Sequence, residues 1–591
     1  MVVMVYFKMS VHLKGVTVYY GEETQPAIKN ISFDVEKGQM VGFFGPNGSG
    51  KSTLFHTLNG IIPYVVPGRV EGEQIVDGLD ARKYGIRDLT RHVGLVLPDP
   101  DVSLVAITVE DDVAFGPQCL GLSTEEIQKR VTESLNTFRL VGYDKRTTHT
   151  LSGGEEQSLA IAGIYAMRPP IFALDEPICM LDPIGKDTVL KVISRLNKEL
   201  GMTVLISEAG GDIEYIAPMC DRMVLLKDGT IIADGPTREI LADRELLRSI
   251  RILPPQVTEI ALRLGIKDPK SMPITIEEGM ACIASILKNK KIELSAERRV
   301  LAPAHEKRVP IITVRNLYHT FTGMRPVYAL RDINLDIYEG EMVGLIGQNG
   351  SGKTTLALHL VGIHKPTNPN GSVKPLPNAK IIVDGCDVTK ATVREVVNHI
   401  NYAFQNPDYQ LFMETVEEEI SYACNMFELG AEETKKRVDW VMDLYKLQND
   451  RKAPIYNATK DKKTFVAQAS ILVMRPKVLI IDEPTTGLDY EMGQKVLRIL
   501  RKLNREEGKT IIIITHNQKL VAEYTDRTIV MKQGQILMDG PTREVYSKPE
   551  ILRESFLEPP EVTRVGQGLK DYGFPPDVMT IDEMLDLLKG R

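Results

Sequence analysis

The chain has 591 residues, which is too long for one hydrophobic core and predicts at least two large units. Its net charge of −7 argues against a nucleic-acid-binding surface, which usually carries a basic excess. The six cysteines form no CxxC pair, and the longest apolar runs have the length of a strand. We therefore predict a reduced cytosolic protein without a disulfide framework or a membrane span.

The two halves of the chain repeat each other. VGFFGPNGSGKSTL recurs as VGLIGQNGSGKTTL, IFALDEP as VLIIDEP, and DGPTREIL as DGPTREVY. This order of strands, loops and helices predicts an α/β fold, with one domain of the phosphate-loop NTPase type in each half. The predicted organisation is residues 9–245 as the first domain, 246–290 as its C-terminal tail, 291–310 as a charged linker, 311–550 as the second domain, and 551–591 as its tail.

A phosphate-binding loop opens the first half. The run GPNGSGKS fits the pattern GxxxxGK[ST], follows an apolar strand and precedes a helical segment, which is the context that the pattern requires. Glycines let successive backbone N–H groups face phosphate oxygens, and the helix adds its positive N-terminal end. The predicted nucleotide-binding residues are Gly45, Pro46, Asn47, Gly48, Ser49, Gly50, Lys51, Ser52 and Thr53. Lys51 would reach the β- and γ-phosphates, and the Ser52 hydroxyl would bind Mg²⁺.

Two adjacent acids end a strongly apolar run farther along the first half. Asp175 suits holding Mg²⁺ through water, and Glu176 is placed to polarise a water molecule beside the γ-phosphate. An isolated Asp-Glu pair at the end of a strand is commonly two solvated acids. The same pair stands at the matching position of the second half, which favours the functional interpretation.

The second half contains the same parts. Its loop residues are predicted to be Gly347, Gln348, Asn349, Gly350, Ser351, Gly352, Lys353, Thr354 and Thr355. Lys353 and Thr354 take the roles of the phosphate-binding lysine and the Mg²⁺-binding hydroxyl. Asp482 and Glu483 supply the two acids at the end of the strand. The sequence therefore predicts two ATP sites that each use Mg²⁺ as cofactor.

These motifs together resemble ATP-binding cassette (ABC) ATPases, and the resemblance covers nearly the whole chain. It rests on the two phosphate loops, LSGGE, ALDEP and IIDEPTTGLD. In that family two cassettes pair head to tail, and ATP lies between the phosphate loop of one cassette and the LSGGQ signature of the other. The runs FQNPDYQLFMETVEEEISYA and TVEDDVAFGPQCLGL, together with the two C-terminal tails, resemble the energy-coupling-factor (ECF) branch, which imports cobalt and vitamins.

The resemblance implies roles for further residues. Gln405 takes the Q-loop position, which contacts Mg²⁺ and the membrane partner, and His516 takes the switch-histidine position beside the γ-phosphate. The implied catalytic residues are Glu483, His516, Gln405 and Lys353, and the implied metal-binding residues are Ser52, Asp175, Thr354, Gln405 and Asp482. Tyr20 and Phe321 lie where the family places a ring against adenine, although an aromatic residue in a strand can equally belong to the core.

The first half lacks two of these groups. Pro98 stands where the glutamine is expected, and proline has neither a side-chain amide nor a backbone N–H. The histidine position falls within residues 209–211, depending on the placement of a gap, and that window holds only alanine and glycine.

The signatures differ in the opposite sense. The first half carries LSGGE, in which the predicted nucleotide-binding residues are Ser152, Gly153 and Gly154. The aligned second-half run is ATKDK at residues 458–462. Thr459 keeps a hydroxyl there, but Lys460 and Asp461 add side chains where the backbone would approach phosphate. Asp461 also brings negative charge toward an anionic nucleotide.

Head-to-tail pairing of the cassettes would collect all three losses in one site. The second-half loop and acids would face the intact first-half signature and form a complete site. The first-half loop and acids would face ATKDK and form a degenerate site that binds ATP but turns it over slowly. Damage spread evenly over a decaying chain would also affect the complete site.

These observations predict an ATPase subunit that energises an ECF-type importer of a vitamin or a transition-metal ion. The expected partners are integral membrane T-type and substrate-binding subunits, at the cytoplasmic face of the membrane, with the cassettes pairing within one chain. Alternative predictions are a soluble tandem ABC ATPase that acts on ribosomes or nucleic acid, and a non-catalytic scaffold. A short linker and one missing signature disfavour the former, and the intact second-half site disfavours the latter.

Overall fold

The computed structural model describes residues 8–179, 181–290, 309–322, 326–372 and 379–589. It divides into two compact units, one ending at Ser285 and one beginning at Ile286. The predicted linker, residues 291–310, lies outside the described residues except for its last two positions. Among the described residues, no helix combines the length and the apolar character needed to cross a bilayer.

The first unit contains ten strands and twelve α-helices within its described residues. Its strands are β1 Met9–Tyr20, β2 Ile28–Glu36, β3 Met40–Phe44, β4 Gly68–Val76, β5 Leu79–Asp80, β6 Val93–Val96, β7 Ile171–Leu174, β8 Thr203–Glu208, β9 Arg222–Lys227 and β10 Thr230–Pro236. Its helices are α1 Lys51–Asn59, α2 Ile61–Tyr64, α3 Ile86–Leu89, α4 Val109–Cys119, α5 Thr124–Thr137, α6 Gly153–Met167, α7 Pro183–Lys198, α8 Ile213–Ile216, α9 Thr237–Ala242, α10 Arg244–Ser249, α11 Gln256–Arg263 and α12 Ile276–Lys290.

Two sheets build the first unit. Strands β2-β1-β4-β5 form an antiparallel sheet, and β10-β9-β3-β8-β7-β6 form a second sheet that is parallel except for the β9–β10 hairpin. Because successive side chains of a strand point to opposite faces of the sheet, β3 contributes residues to the hydrophobic cores on both sides of the parallel sheet. Val41 and Phe43 pack with the antiparallel sheet and α1, whereas Met40 and Phe44 pack with the helices of the opposite layer. The parallel sheet is therefore buried on both faces.

The second unit repeats this plan. Its strands are β11 Pro310–Phe321, β12 Val327–Tyr338, β13 Met342–Ile346, β14 Lys380–Val383, β15 Cys386–Asp387, β16 Ile400–Ala403, β17 Val478–Asp482, β18 Thr510–Ile514, β19 Arg527–Lys532 and β20 Gln535–Pro541. Its helices are α13 Lys353–Leu360, α14 Val393–Val396, α15 Val416–Met426, α16 Ala431–Tyr445, α17 Lys460–Leu472, α18 Tyr490–Glu507, α19 Gln518–Tyr524, α20 Thr542–Tyr546, α21 Pro549–Glu554, α22 Glu561–Gly568 and α23 Ile581–Lys589.

The parallel strands of the second unit run in the order β16-β17-β18-β13-β19, with β20 antiparallel at the edge. The phosphate loop follows β13 in the middle of this sheet. Asp482 is the last residue of β17 and Glu483 follows it, and β18 lies between β17 and β13. The carboxyl ends of parallel strands meet at one edge of a sheet, so this topology brings the loop and the acids together. The first unit places its own loop after β3 and its acids after β7 in the same way.

Each C-terminal tail is anchored to the rest of its own unit by an arginine. Arg238 pairs with Glu278 in the first unit, and Arg543 pairs with Glu583 in the second. The same arginines also donate to a backbone carbonyl in the tail, that of Met272 in the first unit. Both tails are therefore packed parts of their units.

Candidate functional site

Both phosphate loops are shaped by glycines that no larger residue could replace. A Cβ atom on Gly45 would lie 2.3 Å from the Leu226 carbonyl oxygen, and one on Gly347 would lie 2.4 Å from the Met531 carbonyl oxygen. Gly50 and Gly352 precede the helices α1 and α13 with φ values of 101° and 102°, in the left-handed region that favours glycine. The two loops therefore enter their helices with the same backbone conformation.

The lysines of the loops are folded back onto the loop backbone. Lys51 Nζ donates to the carbonyl oxygens of Gly45 at 2.8 Å and Pro46 at 3.2 Å, and Lys353 makes the equivalent contacts in the second unit. The buried hydroxyls of Ser49 and Ser351 find no hydrogen-bond partner among the described residues. An ammonium group held at the loop and a buried hydroxyl without a partner fit a triphosphate as ligand.

Asp482 lies beside the hydroxyl predicted to bind Mg²⁺. Its Oδ2 accepts hydrogen bonds from Thr354 Oγ1 at 3.0 Å and from the hydroxyl of Tyr402 at 2.6 Å. Burial raises the pKa of Asp482 to about 6, with a further contribution from the charge of Glu483. A buried carboxylate next to a hydroxyl supplies the hard oxygen ligands that Mg²⁺ prefers.

No group of three or more His, Cys, Asp or Glu side chains within the described ranges could hold a metal ion alone. Mg²⁺ that is bound together with a nucleotide is usually held by one or two carboxylates, water and the phosphates. Thr354 and Asp482 would hold it in the second unit, and Ser52 and Asp175 in the first. The bound ion would neutralise charge that develops on the phosphates.

Asp175 is held differently from Asp482. The hydroxyl of Ser207 donates to Asp175 Oδ1 and also accepts the backbone N–H of Glu176 at 3.1 Å. Lys51 Nζ lies 3.8 Å from Glu176 Oε1. The first unit therefore also brings its loop lysine and its two acids together, as the sequence predicts.

Glu483 has four hydrogen-bond contacts. Its Oε1 accepts the backbone N–H of His516 at 3.0 Å and lies 2.6 Å from His516 Nδ1. Its Oε2 accepts the hydroxyls of Thr515 at 2.9 Å and Thr486 at 3.2 Å. Burial raises the pKa of Glu483, but His516, Thr515 and Lys353 outweigh it and hold the pKa below its ordinary value. Glu483 is thus an ionised, oriented carboxylate, as a base requires.

The strand register fixes the residue that replaces the histidine in the first unit. Gly42 pairs with Ile206 in β8, and Gly344 pairs with Ile513 in β18. Three residues beyond these partners lie Ala209 and His516 respectively. Ala209 therefore occupies the histidine position, and the gap that the sequence left open is not needed.

Glu208 stands where the second unit has Thr515. Its Oε1 accepts the backbone N–H groups of Gly210 at 3.0 Å, Gly211 at 2.9 Å and Asp212 at 3.1 Å, and its buried Oε2 has no hydrogen-bond partner among the described residues. Burial raises the pKa of Glu208 to about 8, with contributions from Asp212 and Glu176. The hydrogen bonds of Glu208 thus go to the backbone of residues 210–212, whereas the hydroxyl of Thr515 donates to Glu483.

Glu208→Gln is expected to flatten the pH dependence of the stability of the first unit. The folded protein keeps a proton on Glu208 up to about pH 8, whereas the unfolded chain loses it near 4.5. The contribution of protonated Glu208 to the free energy of unfolding is fully present below pH 4.5 and is lost as the pH rises to about 8, by a few kcal/mol at most. Thermal unfolding of the unsubstituted chain and of the variant, without nucleotide or Mg²⁺, measures this. The curves of stability against pH for the two proteins should diverge above pH 4.5 if the prediction holds, and parallel curves would show that Glu208 is ionised in the fold.

Gln405 and Pro98, which take the same position in the two units, differ in whether they offer a side-chain amide to the acids. Gln405 lines the same cleft as Asp482, Glu483 and Thr486. Within the first unit, the carbonyl oxygen of Leu97 next to Pro98 accepts a hydrogen bond from the Gln157 side chain at 3.4 Å. The second unit therefore has an amide at its acids, and Pro98 cannot offer one.

The two rings predicted to contact adenine differ in their environment. The hydroxyl of Tyr20 lies 2.9 Å from Thr53 Oγ1, which ties this ring to the helix after the phosphate loop. The ring of Phe321 is 43% exposed and packs edge-on against His319 and His364, with centroid distances of 4.6 and 5.8 Å. Tyr20 thus contacts its phosphate-loop helix, whereas Phe321 contacts His364, which follows the end of α13. For both rings, stacking on adenine stays a prediction.

The two signature helices begin at equivalent residues but with different caps. Ser152 caps α6 in a capping box with Glu155, in which each residue bonds the backbone of the other. Thr459 precedes α17 with nearly the same backbone dihedral angles, but its side chain makes no capping hydrogen bond. The backbone start of the helix is preserved in the second unit, and only the side chains change.

Gly154 has a packing role inside its own unit. A Cβ atom on Gly154 would lie 2.4 Å from the Cα atom of Gly185 in α7, whereas one on Gly153 would lie 3.5 Å from Leu181, an ordinary contact. The second glycine of the signature therefore allows two helices to approach closely. Gly153 has room for a side chain, so packing within the unit does not account for that glycine.

Gly154→Ala is expected to destabilise the first unit by about 1–3 kcal/mol, because the added methyl group must push α6 and α7 apart. Gly153→Ala is the matched control and should change the free energy of unfolding by less than about 0.5 kcal/mol. Thermal or urea unfolding of the full chain measures both changes. Equal effects of the two substitutions would contradict the packing role of Gly154.

Several residues that shape these sites carry no motif. They are Tyr402, Ser207, Glu208, Gly185 and Thr515. The acid that ends the apolar run VLISE was the available signal for Glu208, because an acid in a buried strand usually has a specific role. Tyr402 and Ser207 lie on neighbouring strands, Gly185 lies on α7 and Thr515 follows β18, and their contacts depend on the tertiary fold.

Comparisons with known proteins show the family of the chain. The family described as ABC transporter matches residues 28–179 and again 330–486. A protein of Methanosarcina acetivorans, provisionally named ABC transporter ATP-binding protein, is 36% identical over 592 residues, which cover 98% of this chain and 94% of that protein. A similarly named protein of Caldanaerobacter subterraneus is 35% identical, with 98% of both chains covered.

Among solved structures, cbiO1 from Clostridium perfringens, described as part of the ABC transporter complex cbiONQ, is 32% identical over 42% of this chain and 94% of its own, with a TM-score of 0.36. The family match and the full-length relatives decide the assignment, since they span both units. The chain belongs to the ABC transporter family and is an ATPase made of two ABC cassettes in tandem.

Proposed function

We propose that the chain is the energising subunit of an ECF-type importer of a vitamin or a transition-metal ion. ATP binding would close the two cassettes head to tail, and hydrolysis would reopen them. Its partners would be integral membrane T-type and substrate-binding subunits at the cytoplasmic face of the membrane, contacted through protein surfaces. The names of the relatives, as ATP-binding proteins of ABC transporters, support a role in transport.

The observation that carries this proposal is an exposed aromatic surface next to Gln405. Tyr409 is 80% exposed and Phe412 is 63% exposed, and the ring of Phe412 packs edge-on against Tyr422 with the centroids 4.8 Å apart. Gln405 lies at one end of this segment and in the cleft of the two acids. A partner bound to these rings would be linked through one short segment to the site of hydrolysis.

The second part of the proposal is that only one nucleotide turns over fast. The loop and acids of the second cassette would face the signature Ser152-Gly153-Gly154 of the first cassette within the same chain. Glu483 there has four hydrogen-bond contacts, whereas Glu176 lacks both the histidine and the threonine. The first nucleotide would bind to an intact loop but would react slowly.

Affinity purification of the full chain from membranes of its native cells tests the transport role. We expect a multi-span membrane protein to copurify in near-stoichiometric amount, identified by mass spectrometry. Phe412→Glu with Tyr409→Glu should release that partner, while Tyr84→Glu, at another exposed aromatic residue, should keep it. Recovery of ribosomes or nucleic acid without a membrane protein would instead favour the soluble tandem ATPase.

A further inference from the structure

The two cassettes hold their Mg²⁺-binding aspartates from opposite neighbouring strands. In the second cassette, the hydroxyl of Tyr402, on β16, donates to Asp482 at 2.6 Å. In the first cassette, the hydroxyl of Ser207, on β8, donates to Asp175. These two donors are not equivalent residues, because β16 corresponds to β6 and β8 corresponds to β18 in the repeated fold.

The strand register shows what replaces each donor in the other cassette. Tyr402 pairs with Ile480, and its equivalent Leu95 pairs with Ala173, two residues before each aspartate. On the other side, Ile514 pairs directly with Asp482 and occupies the position of Ser207. Leucine and isoleucine cannot donate a hydrogen bond. Each cassette therefore has one donor, on one side only of the aspartate, among these four positions.

Tyr402 is fixed well enough to orient a carboxylate. It is 7% exposed, and its ring packs edge-on against Phe404 with the centroids 4.8 Å apart. Its hydroxyl and that of Thr354 share the same oxygen of Asp482. Thr354 is the hydroxyl predicted to turn to Mg²⁺, so Tyr402 is the donor that stays on Asp482 when the ion is bound.

We propose that Tyr402 is a positioning residue for the Mg²⁺ of the second cassette, and that Ser207 has this role in the first. The hydroxyl of Tyr402 holds the carboxylate of Asp482 in one orientation, so that the ion and the phosphates find their oxygen ligand already in place. Groups that orient a metal ligand commonly change metal affinity by 10- to 100-fold. The inference rests on the ATPase assignment of the family and is independent of the transport role and of the partner.

Metal binding to the full chain tests this directly. Glu483→Gln keeps ATP unhydrolysed in the second cassette, and Lys51→Ala empties the first, so one site is observed. Mn²⁺ serves as the probe and is titrated by electron paramagnetic resonance in the presence of ATP. In this background we expect Tyr402→Phe to weaken Mn²⁺ binding about tenfold or more, while the affinity for ATP without metal changes less than about twofold.

Moving the hydrogen-bond donor from one neighbouring strand of Asp482 to the other distinguishes positioning from general packing. Tyr402→Leu combined with Ile514→Ser installs the arrangement of the first cassette, with the donor moved to β18. We expect this double variant to recover Mn²⁺ affinity to within about threefold of the background, whereas Tyr402→Leu alone does not. Tyr524→Phe is the matched control, because it removes the hydroxyl of a buried tyrosine that donates to Gln494 in the same unit.

Unchanged Mn²⁺ affinity in Tyr402→Phe, with normal thermal unfolding, would overturn the proposal. Equal losses of Mn²⁺ affinity and of metal-free ATP affinity would overturn it as well, because the effect would then belong to the packing of the loop. A selective loss of metal affinity that Ile514→Ser restores would support it. Since Tyr402→Phe removes one oxygen atom and keeps the ring, the variant is expected to fold.

Discussion

Glu483→Gln is expected to reduce the rate of ATP hydrolysis of the full chain by at least 100-fold, whereas Glu176→Gln should leave it within about twofold. The reason is the difference in support of the two acids. His516, Thr515 and Thr486 hold Glu483 as an oriented carboxylate. In the first cassette Ala209 has no polar side chain, and Glu208 directs its hydrogen bonds to the backbone of residues 210–212.

Steady-state phosphate release at saturating Mg²⁺–ATP measures both rates. Nucleotide binding is the control, because the amide of glutamine preserves shape and both variants should still bind two ATP molecules per chain. A Glu483→Gln chain with near-normal turnover, together with an inactive Glu176→Gln chain, would show that the first cassette is the catalyst. Similar losses in both variants would show that the two sites hydrolyse ATP equally.

Gly153→Lys is expected to reduce ATP hydrolysis by about 100-fold without unfolding the first cassette. It introduces the residue that the second cassette carries at the same position, Lys460. A Cβ atom at Gly153 meets only an ordinary contact 3.5 Å away, so the fold should tolerate the side chain. In the proposed head-to-tail site the lysine would hold the helix away from the γ-phosphate, and loss of one oriented backbone donor typically costs 100- to 1,000-fold.

The reciprocal change provides the matched control. Lys460→Gly should leave hydrolysis by the chain within about twofold, because the second signature would face the slow site. Thermal unfolding checks that both variants remain folded, and phosphate release gives the rates. A strong loss in Lys460→Gly with none in Gly153→Lys would reverse the assignment of the two signatures.

The fold of each cassette could be predicted from the sequence because its signals are local. The loop after β3 needs glycines at fixed spacing, and the acids after β7 follow a continuous apolar run. The repeat then supplied the second unit. The comparisons confirm the two ABC ATPase domains.

The candidate sites could be predicted only as far as the motifs reach. Tyr402 and Ser207 act through strand neighbours that are distant in sequence, and no spacing rule predicts a hydrogen bond across a parallel sheet. The histidine position also needed the register of β8, because one sequence alone does not show where a gap belongs. The predicted roles of Gln405, Tyr20 and Phe321 remain predictions.

Gly154 was predicted as a nucleotide contact, and the structure gives this glycine a second reason to stay small. It lies against Gly185, and the second cassette has Asp461 and Met492 at the equivalent positions. A side chain on Gly154 alone would meet the backbone of Gly185, and one on Gly185 would come within 3.3 Å of Gly154 Cα and 3.2 Å of Leu181 and Asp182. A side chain on Gly154 therefore requires a shift of the backbone, whereas one on Gly185 requires its neighbours to yield by a few tenths of an ångström.

The order of mutational steps is constrained as a consequence. A chain that began to lose its first signature at this residue would first lose folded protein, and only then activity. A contact between two helices of the first cassette thus disfavours stepwise substitution of its signature at Gly154. A library that randomises residues 154 and 185 together should yield folded variants with larger residues at both positions, in pairs that neither single-site library contains. Sorting such a library for folded protein shows which pairs of residues the two helices accept.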